Sequence, residues 1–166
     1  MQNKRYIVFD IETTGLNPLD SRITCICART KDSEAVYQGC HTNEKGLISD
    51  FIKWLRKEND GLLISANGKE FDLTFIFMRA FIKGLSFRNM KFILKFEHFD
   101  IIKDITDKKI SLNNLARLYG FKLKSGDGVN AIKLFEDIKL EELMEYCMND
   151  VKLTEQVYLK YLETNK

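Results

Sequence analysis

Asp10 and Glu12 stand in the stretch YIVFDIETTGL, residues 6 to 16, at places where a buried strand normally carries no acid. Residues two apart on a strand point to the same face, so the two carboxylates project together while Ile11 faces the other way. Buried carboxylates this close repel and take protons back unless a cation compensates them, and a divalent metal is the simplest such cation. Thr13, Thr14 and Gly15 suit a strand end opening into a loop. Taken alone, the two acids fit an exposed edge strand or a turn cap equally well.

Two further stretches bear on the choice. In SANGKEFDLTFI a predicted strand ends at SAN, and Asp72 opens the next helix. The helix dipole favours a carboxylate in a first turn, so Asp72 by itself reads as an ordinary helix-start acid. Asn67, at the strand end, can hydrogen-bond a substrate or merely satisfy its turn. In YCMND, Tyr146 and Asp150 are four apart on a predicted helix, hence one turn apart on one face. There a carboxylate can reach a metal and a phenol can place a water, although a solvated acid and a packing tyrosine fit the same pattern.

The elements that must hold these groups follow from periodicity. Residues 5 to 11, RITCICAR and EAVYQG are short β-rich runs separated by turn residues, which predicts three sequential strands in an antiparallel meander. Leu47, Ile48, Phe51 and Leu55 recur at helical spacing and are followed by Gly61 and the apolar run LLISA, a helix and then a buried strand. A helix is expected from Phe71 to Ile82, with Phe71, Phe75, Met78 and Ile82 on one side. A strand near HFDIIKD precedes a helix with Ser111 as N-cap and Gly120 just past its end. From 139 to 163, Leu140, Leu143, Cys147, Val151, Tyr158 and Leu162 form an apolar stripe at helical period. A meander followed by alternating helices and strands predicts an α/β domain with a mixed sheet.

The chain has 166 residues, 45% of them hydrophobic and one a proline, with no repeat or low-complexity tract, so one domain over 1–166 is expected. Charge interrupts every apolar stretch, so neither a signal peptide nor a membrane span is expected, and a cytosolic protein is. Cys25, Cys27, Cys40 and Cys147 form no C-x-x-C pair and accompany only two histidines, which suggests reduced, mostly buried thiols rather than a zinc cluster or a disulfide framework. From Arg79 to Phe96 the chain carries Arg79, Lys83, Arg88, Lys91 and Lys95 and no acid, either a solvated face or a surface for phosphates. KSGDG lacks the spacing of a nucleotide-binding loop and reads as a flexible loop, with Lys122 and Lys124 beside it.

The three acidic stretches together resemble the DEDD, or DnaQ-like, superfamily of 3′-to-5′ exonucleases. FDIETTGL resembles its first motif, NGKEFD its second and YCMND its third, in the same order along the chain, and the resemblance spans roughly residues 5 to 160. It implies a ribonuclease H-like fold in which Asp10, Glu12, Asp72 and Asp150 gather around two divalent ions, Mg²⁺ or Mn²⁺. A tyrosine four residues before the last aspartate, here Tyr146, with glutamate rather than histidine at 145, is similar to the tyrosine (DEDDy) branch. The wording of NGKEFDLTFI and of the segment ahead of YCMND is similar to the proofreading domains of family B DNA polymerases, which implies a free-standing nuclease or an accessory subunit.

By the same resemblance, Asp10 would anchor both ions, Glu12 and Asp150 would help hold the water-activating one, and Asp72 would reach the other largely through water. Two such ions, roughly 4 Å apart, suit phosphodiester hydrolysis. Tyr146 would orient the attacking water, since an unperturbed phenol is a poor base at neutral pH. Asn67 and Phe71 would contact the terminal nucleotides of single-stranded DNA or RNA, with Thr13 and Leu16 wedging at the terminal base. If four of the 24 acids are occupied by metal, 20 remain against 26 basic residues, a surface that attracts phosphates. The competing expectations are a nucleic-acid-binding module that keeps the fold without the activity, and an enzyme for short oligonucleotides with the same chemistry and a different groove.

Overall fold

The computed structural model describes residues 5–31, 36–40, 43–59, 61–106, 110–121 and 128–165. Three strands come first, β1 (Tyr6–Thr13), β2 (Ile23–Thr30) and β3 (Val36–Cys40), paired antiparallel as the predicted meander. Helix α1 (Glu44–Glu58) leads to β4 (Leu62–Ser65), which pairs parallel with β1, and β5 (Glu97–Asp100) adds parallel to β4. The sheet order is β3-β2-β1-β4-β5, the mixed sheet that the sequence predicts. The other helices are α2 (Asp72–Ile82), α3 (Phe87–Ile93), α4 (Ile101–Thr106), α5 (Leu112–Leu118), α6 (Gly128–Glu136) and α7 (Leu140–Thr164).

Alternation along β1 assigns its residues to two cores. Ile7, Phe9 and Ile11 point to one face and pack with Phe51 and Leu55 of α1 and Phe75 of α2. Tyr6 and Val8 point to the other and pack with Leu143, Cys147 and Val151 of α7. Each fully buried side chain of this kind contributes roughly 1.5–3 kcal/mol, and both faces are sealed, so β1 is the central strand.

Helix α7 lies antiparallel to β1. The Tyr6 hydroxyl donates to Glu155 Oε1 at 3.0 Å, Arg29 meets the other Glu155 oxygen at 3.1 Å, and the Cys147 thiol donates to the Asp10 carbonyl at 3.5 Å. Eight helical residues rise about 12 Å and four strand residues about 13 Å, so the two tethers stay in step.

Two sequence expectations change in detail. In α2, Phe75 is buried, but Met78 and Ile82 are 38% and 45% exposed. The inward place goes to Arg79, whose guanidinium donates to both oxygens of buried Glu44 at 2.8 and 2.7 Å, so a satisfied ion pair displaces the apolar stripe. In α7 the centre of the stripe is buried as expected, while Leu140 and Leu162 are half-buried because they sit at the helix ends, past the sheet. Ser111 caps α5 by accepting from the Asn114 N–H, and Gly120 follows it at φ +80°, both as expected. The short helices α3, α4 and α6 are additions. Lys122 and Lys124 lie outside the described residues, as does KSGDG apart from Gly128, where α6 begins.

Candidate active site

Strand β1 outruns its parallel neighbour. Its pairing with β4 ends at Val8 and Ile64, so the backbone beyond needs another partner on that side. Asp72 supplies it: the Ile11 N–H donates to Asp72 Oδ1 at 3.1 Å, tying the first turn of α2 to the end of β1. On the opposite edge β1 stays paired with β2 through Glu12, and the register shifts between Glu12 and Thr13, where the strand gives way to a loop. The expected loop opening begins at this shift, past which Thr13 still pairs with Ile23.

Asp10 and Glu12 both face α7, and their carboxylate oxygens lie within 4.8 Å of each other and of the Cys147 sulfur. Asp10 is half-buried and Glu12 is buried. Cys147 Sγ sits 3.6 Å from Asp10 Oδ2, so α7 arrives directly over the first acid. Asp150 stands three residues further along the same helix and is half-buried. Its charge and that of Asp100 act on Asp72, which is 3% exposed; burial first, then these two charges, push the Asp72 carboxyl up to about 7 despite the N–H bond from Ile11. Asp10, Glu12, Asp72 and Asp150 are thus drawn to one end of the sheet from three segments. The all-oxygen donors of these four residues suit a hard divalent ion.

The loop carrying Asp72 is held from beneath. Asp100, fully buried at the end of β5, accepts the backbone N–H groups of Asn67 at 2.8 Å and Lys69 at 3.0 Å, and caps the start of α4 through Ile102 at 3.1 Å. The Ser65 hydroxyl accepts from Gly68 N–H at 3.1 Å and pairs with His98 Nε2 at 2.7 Å. Burial lowers the His98 pKa to about 4, which keeps the ring neutral in this pairing. Gly68 has no room for a side chain: a Cβ would stand 2.4 Å from Ser65 Oγ and 3.1 Å from Asp72 Oδ2. Sequence reasoning missed Asp100, Ser65, His98 and Gly68. The legible signal was Asp100 in HFDIIKD, an acid at a strand end with a helix beginning at the next residue.

The remaining expected site residues surround this cluster unevenly. Tyr146 is half-buried on α7, packed against the core, and lines a groove of about 430 Å³ between α6 and α7 together with Asn130 and Asn149. Asn67 is exposed at φ +66°, a left-handed conformation that asparagine tolerates. Phe71 is half-buried and packs against Phe75, ring centroids 5.2 Å apart. Thr13 donates its hydroxyl to the Gly15 carbonyl at 2.7 Å, and Leu16 is 85% exposed on the loop leaving β1.

The basic run divides. Arg79 and Lys83 are committed to Glu44, with Lys83 Nζ at 3.3 Å. Arg88, Lys91 and Lys95 join Arg56 around Phe92, and α3 packs into the core across the sheet from the acids. Among the described residues no helix is long and apolar enough to cross a membrane.

A family model described as RNase_H superfamily (RNase_H_2) matches residues 7–162. No curated protein matches at a significant level. Among solved structures, the family B DNA polymerase from the hyperthermophilic archaeon Pyrobaculum calidifontis is similar to this chain, with a TM-score of 0.80 and 20% identity over 96% of this chain and 24% of the polymerase. The chain thus spans about a quarter of that polymerase's length, and the likeness is one of fold. With the family match running from β1 through α7 and so containing all four carboxylates, the chain belongs to the RNase_H superfamily, a family of nuclease fold.

Proposed function

We propose that this protein is a metal-dependent 3′-to-5′ exonuclease of the tyrosine branch, hydrolysing phosphodiester bonds at the 3′ ends of single-stranded DNA or RNA. The observation that carries this reading is that Asp10 and Glu12 hold their carboxylate oxygens within 4.8 Å of one another beneath α7, the helix that carries Asp150, while buried Asp72 accepts from the Ile11 N–H between them. These four residues would hold two divalent ions, Mg²⁺ or Mn²⁺. When bound, such ions supply charge neutralisation at the scissile phosphate and a water of lowered pKa.

The chain's own groups do the positioning. Asp72 is held by the Ile11 N–H, and its loop by Asp100, so the second acid stands at a defined distance from β1. Tyr146, one turn before Asp150 on α7, orients the attacking water through its hydroxyl. Asn67, exposed at the loop apex, offers its amide to the terminal nucleotide, and Leu16, exposed beyond β1, offers an apolar edge for the terminal base.

The test is a time course on 5′-labelled single-stranded DNA and RNA of one sequence, with Mn²⁺, Mg²⁺ or chelator, beside Asp150→Ala. The expected result is a metal-dependent ladder shortening from the 3′ end and absent in the variant. Substrates left intact under every metal condition by folded protein would overturn the reading in favour of a binding module.

A further inference from the structure

Cys25 and Cys27, both on β2, meet Cys147 of α7 on the face of the sheet that packs against that helix, with Cys40 of β3 at its margin. Cys25 and Cys27 are two apart on β2 and share a face, with their sulfurs 3.8 Å apart. Cys147 descends onto them from α7, and the sulfurs of Cys25, Cys27 and Cys147 all lie within 4.8 Å of one another. Cys40 pairs with Cys25 across the edge strand β3 and is half-buried. The other three are fully buried.

We infer that Cys25, Cys27 and Cys147 form a binding site for one thiophilic metal ion, of the Zn²⁺ class, clamped between β2 and α7 behind the carboxylate cluster. Zn²⁺ binds thiolate sulfur at about 2.3 Å in a tetrahedron, so the three thiolates would take three corners with sulfur-to-sulfur edges of about 3.8 Å, and a water or other exogenous ligand would take the fourth. The Cys25–Cys27 separation already has that length. The two sulfur pairs involving Cys147 need contract by no more than about 1 Å to reach it, within what a side-chain rotation allows. Two ligands come from one strand and one from a helix that packs over it, so the sulfurs surround a point from two sides rather than lying in a row. Cys40, on the edge strand, is the most exposed of the four cysteines.

Hard and soft donors separate this site from its neighbour. Asp10 and Glu12 present oxygen on the same face of β1, one strand over, and Cys147 lies within reach of both groups. An ion that prefers carboxylate and water takes the oxygen set, while a thiophilic ion takes the sulfur set. The inference therefore does not require the nuclease reading. The alternative is that the three thiols act as small apolar core residues, a common role for buried cysteine.

The experiment is a titration of the fully reduced, metal-free protein with Co²⁺, followed by Zn²⁺ competition against a chromophoric chelator. The expected result is one equivalent of Co²⁺ giving thiolate-to-metal charge-transfer absorption and tetrahedral visible bands, displaced by Zn²⁺. In Cys27→Ser and Cys147→Ser, checked for folding by circular dichroism, the affinity falls by at least about 100-fold, the scale on which even outer-sphere partners act. In Asp72→Asn the thiolate bands persist. Absence of charge-transfer absorption in the wild-type protein would overturn the inference without any variant, and so would bands that survive both cysteine substitutions or vanish in folded Asp72→Asn. Activity is not measured, so failure of the nuclease reading leaves this result intact.

Discussion

The two faces of the sheet are built from one set of strands and differ in what they can carry. The face under α1 and α2 is filled by large apolar side chains, with Phe9 6.2 Å from Phe51 and Tyr37 5.5 Å from Phe51 between ring centroids. The face under α7 places Val8, Cys25 and Cys27 beneath the helix, beside the larger Tyr6 and Ile64. Large residues on one side anchor the sheet; small residues on the other let α7 approach until Cys147 touches Asp10. The same alternation along β1 that sends Phe9 into the first core sends Asp10 and Glu12 toward the helix that carries Tyr146 and Asp150. On β1, parity sends Ile7, Phe9 and Ile11 to one core, and Tyr6, Val8, Asp10 and Glu12 to the face under α7.

Substitutions at neighbouring positions of β1 test this separation most severely. Asp10→Ala is expected to lower nuclease turnover by about 10³-fold or more, several kcal/mol of barrier, while the metal-free protein melts at the same temperature or higher because crowded carboxylates are relieved. Retained turnover would remove Asp10 from the chemistry. Phe9→Ala is expected to destabilise by roughly 3 kcal/mol or more, read in urea unfolding, with turnover kept in the fraction that remains folded. A loss of turnover in folded Phe9→Ala would show that the two faces are not independent.

A smaller effect is expected at Tyr146→Phe. Losing the hydroxyl should slow turnover by roughly 10- to 100-fold, at the low end for a positioned proton-handling group, with metal affinity unchanged. Wild-type turnover in this variant would mean that the hydroxyl does not place the water.

The smallest effect concerns the support beneath the loop of Asp72. The folded-state pKa of His98 is lowered to about 4, below its ordinary 6.5, by burial. As pH falls below about 6.5 the unfolded chain takes up a proton that the folded protein refuses, so the contribution of this residue is complete above that pH and is lost progressively toward about 4. Wild-type protein should therefore lose more stability than His98→Gln between about pH 8 and about pH 4. Asp72 shifts in the opposite sense, but it does so in both proteins and drops out of the difference. Parallel stability curves for the two proteins would show that His98 does not stay neutral in the fold.

Much of this architecture was legible in the chain before folding. The meander, α1, β4 and α7 follow from local periodicity, because burying one face of a strand or helix leaves a pattern of period 2 or 3.6. α3, α4 and α6 escaped, being six to nine residues long, too short for a periodic stripe to stand out. The inward turn of Arg79 escaped for another reason, since its partner Glu44 is 35 residues away and no local pattern marks the pair. Of the candidate site, Asp10, Glu12, Asp72, Tyr146 and Asp150 stood out by residue type and by place within elements, and the resemblance of their motifs joined them.

The sequence by itself determined the elements, the two-sided character of β1 and the identity of the acids, because each rests on neighbours within a turn or two of chain. Only the tertiary structure decided that Asp100 and Ser65 hold the loop of Asp72, that half of the basic run is spent on Glu44, and that Cys25, Cys27 and Cys147 meet behind the acids. Each of these depends on strand order and on the register of α7 against β1, which arise from packing among residues tens to more than a hundred positions apart.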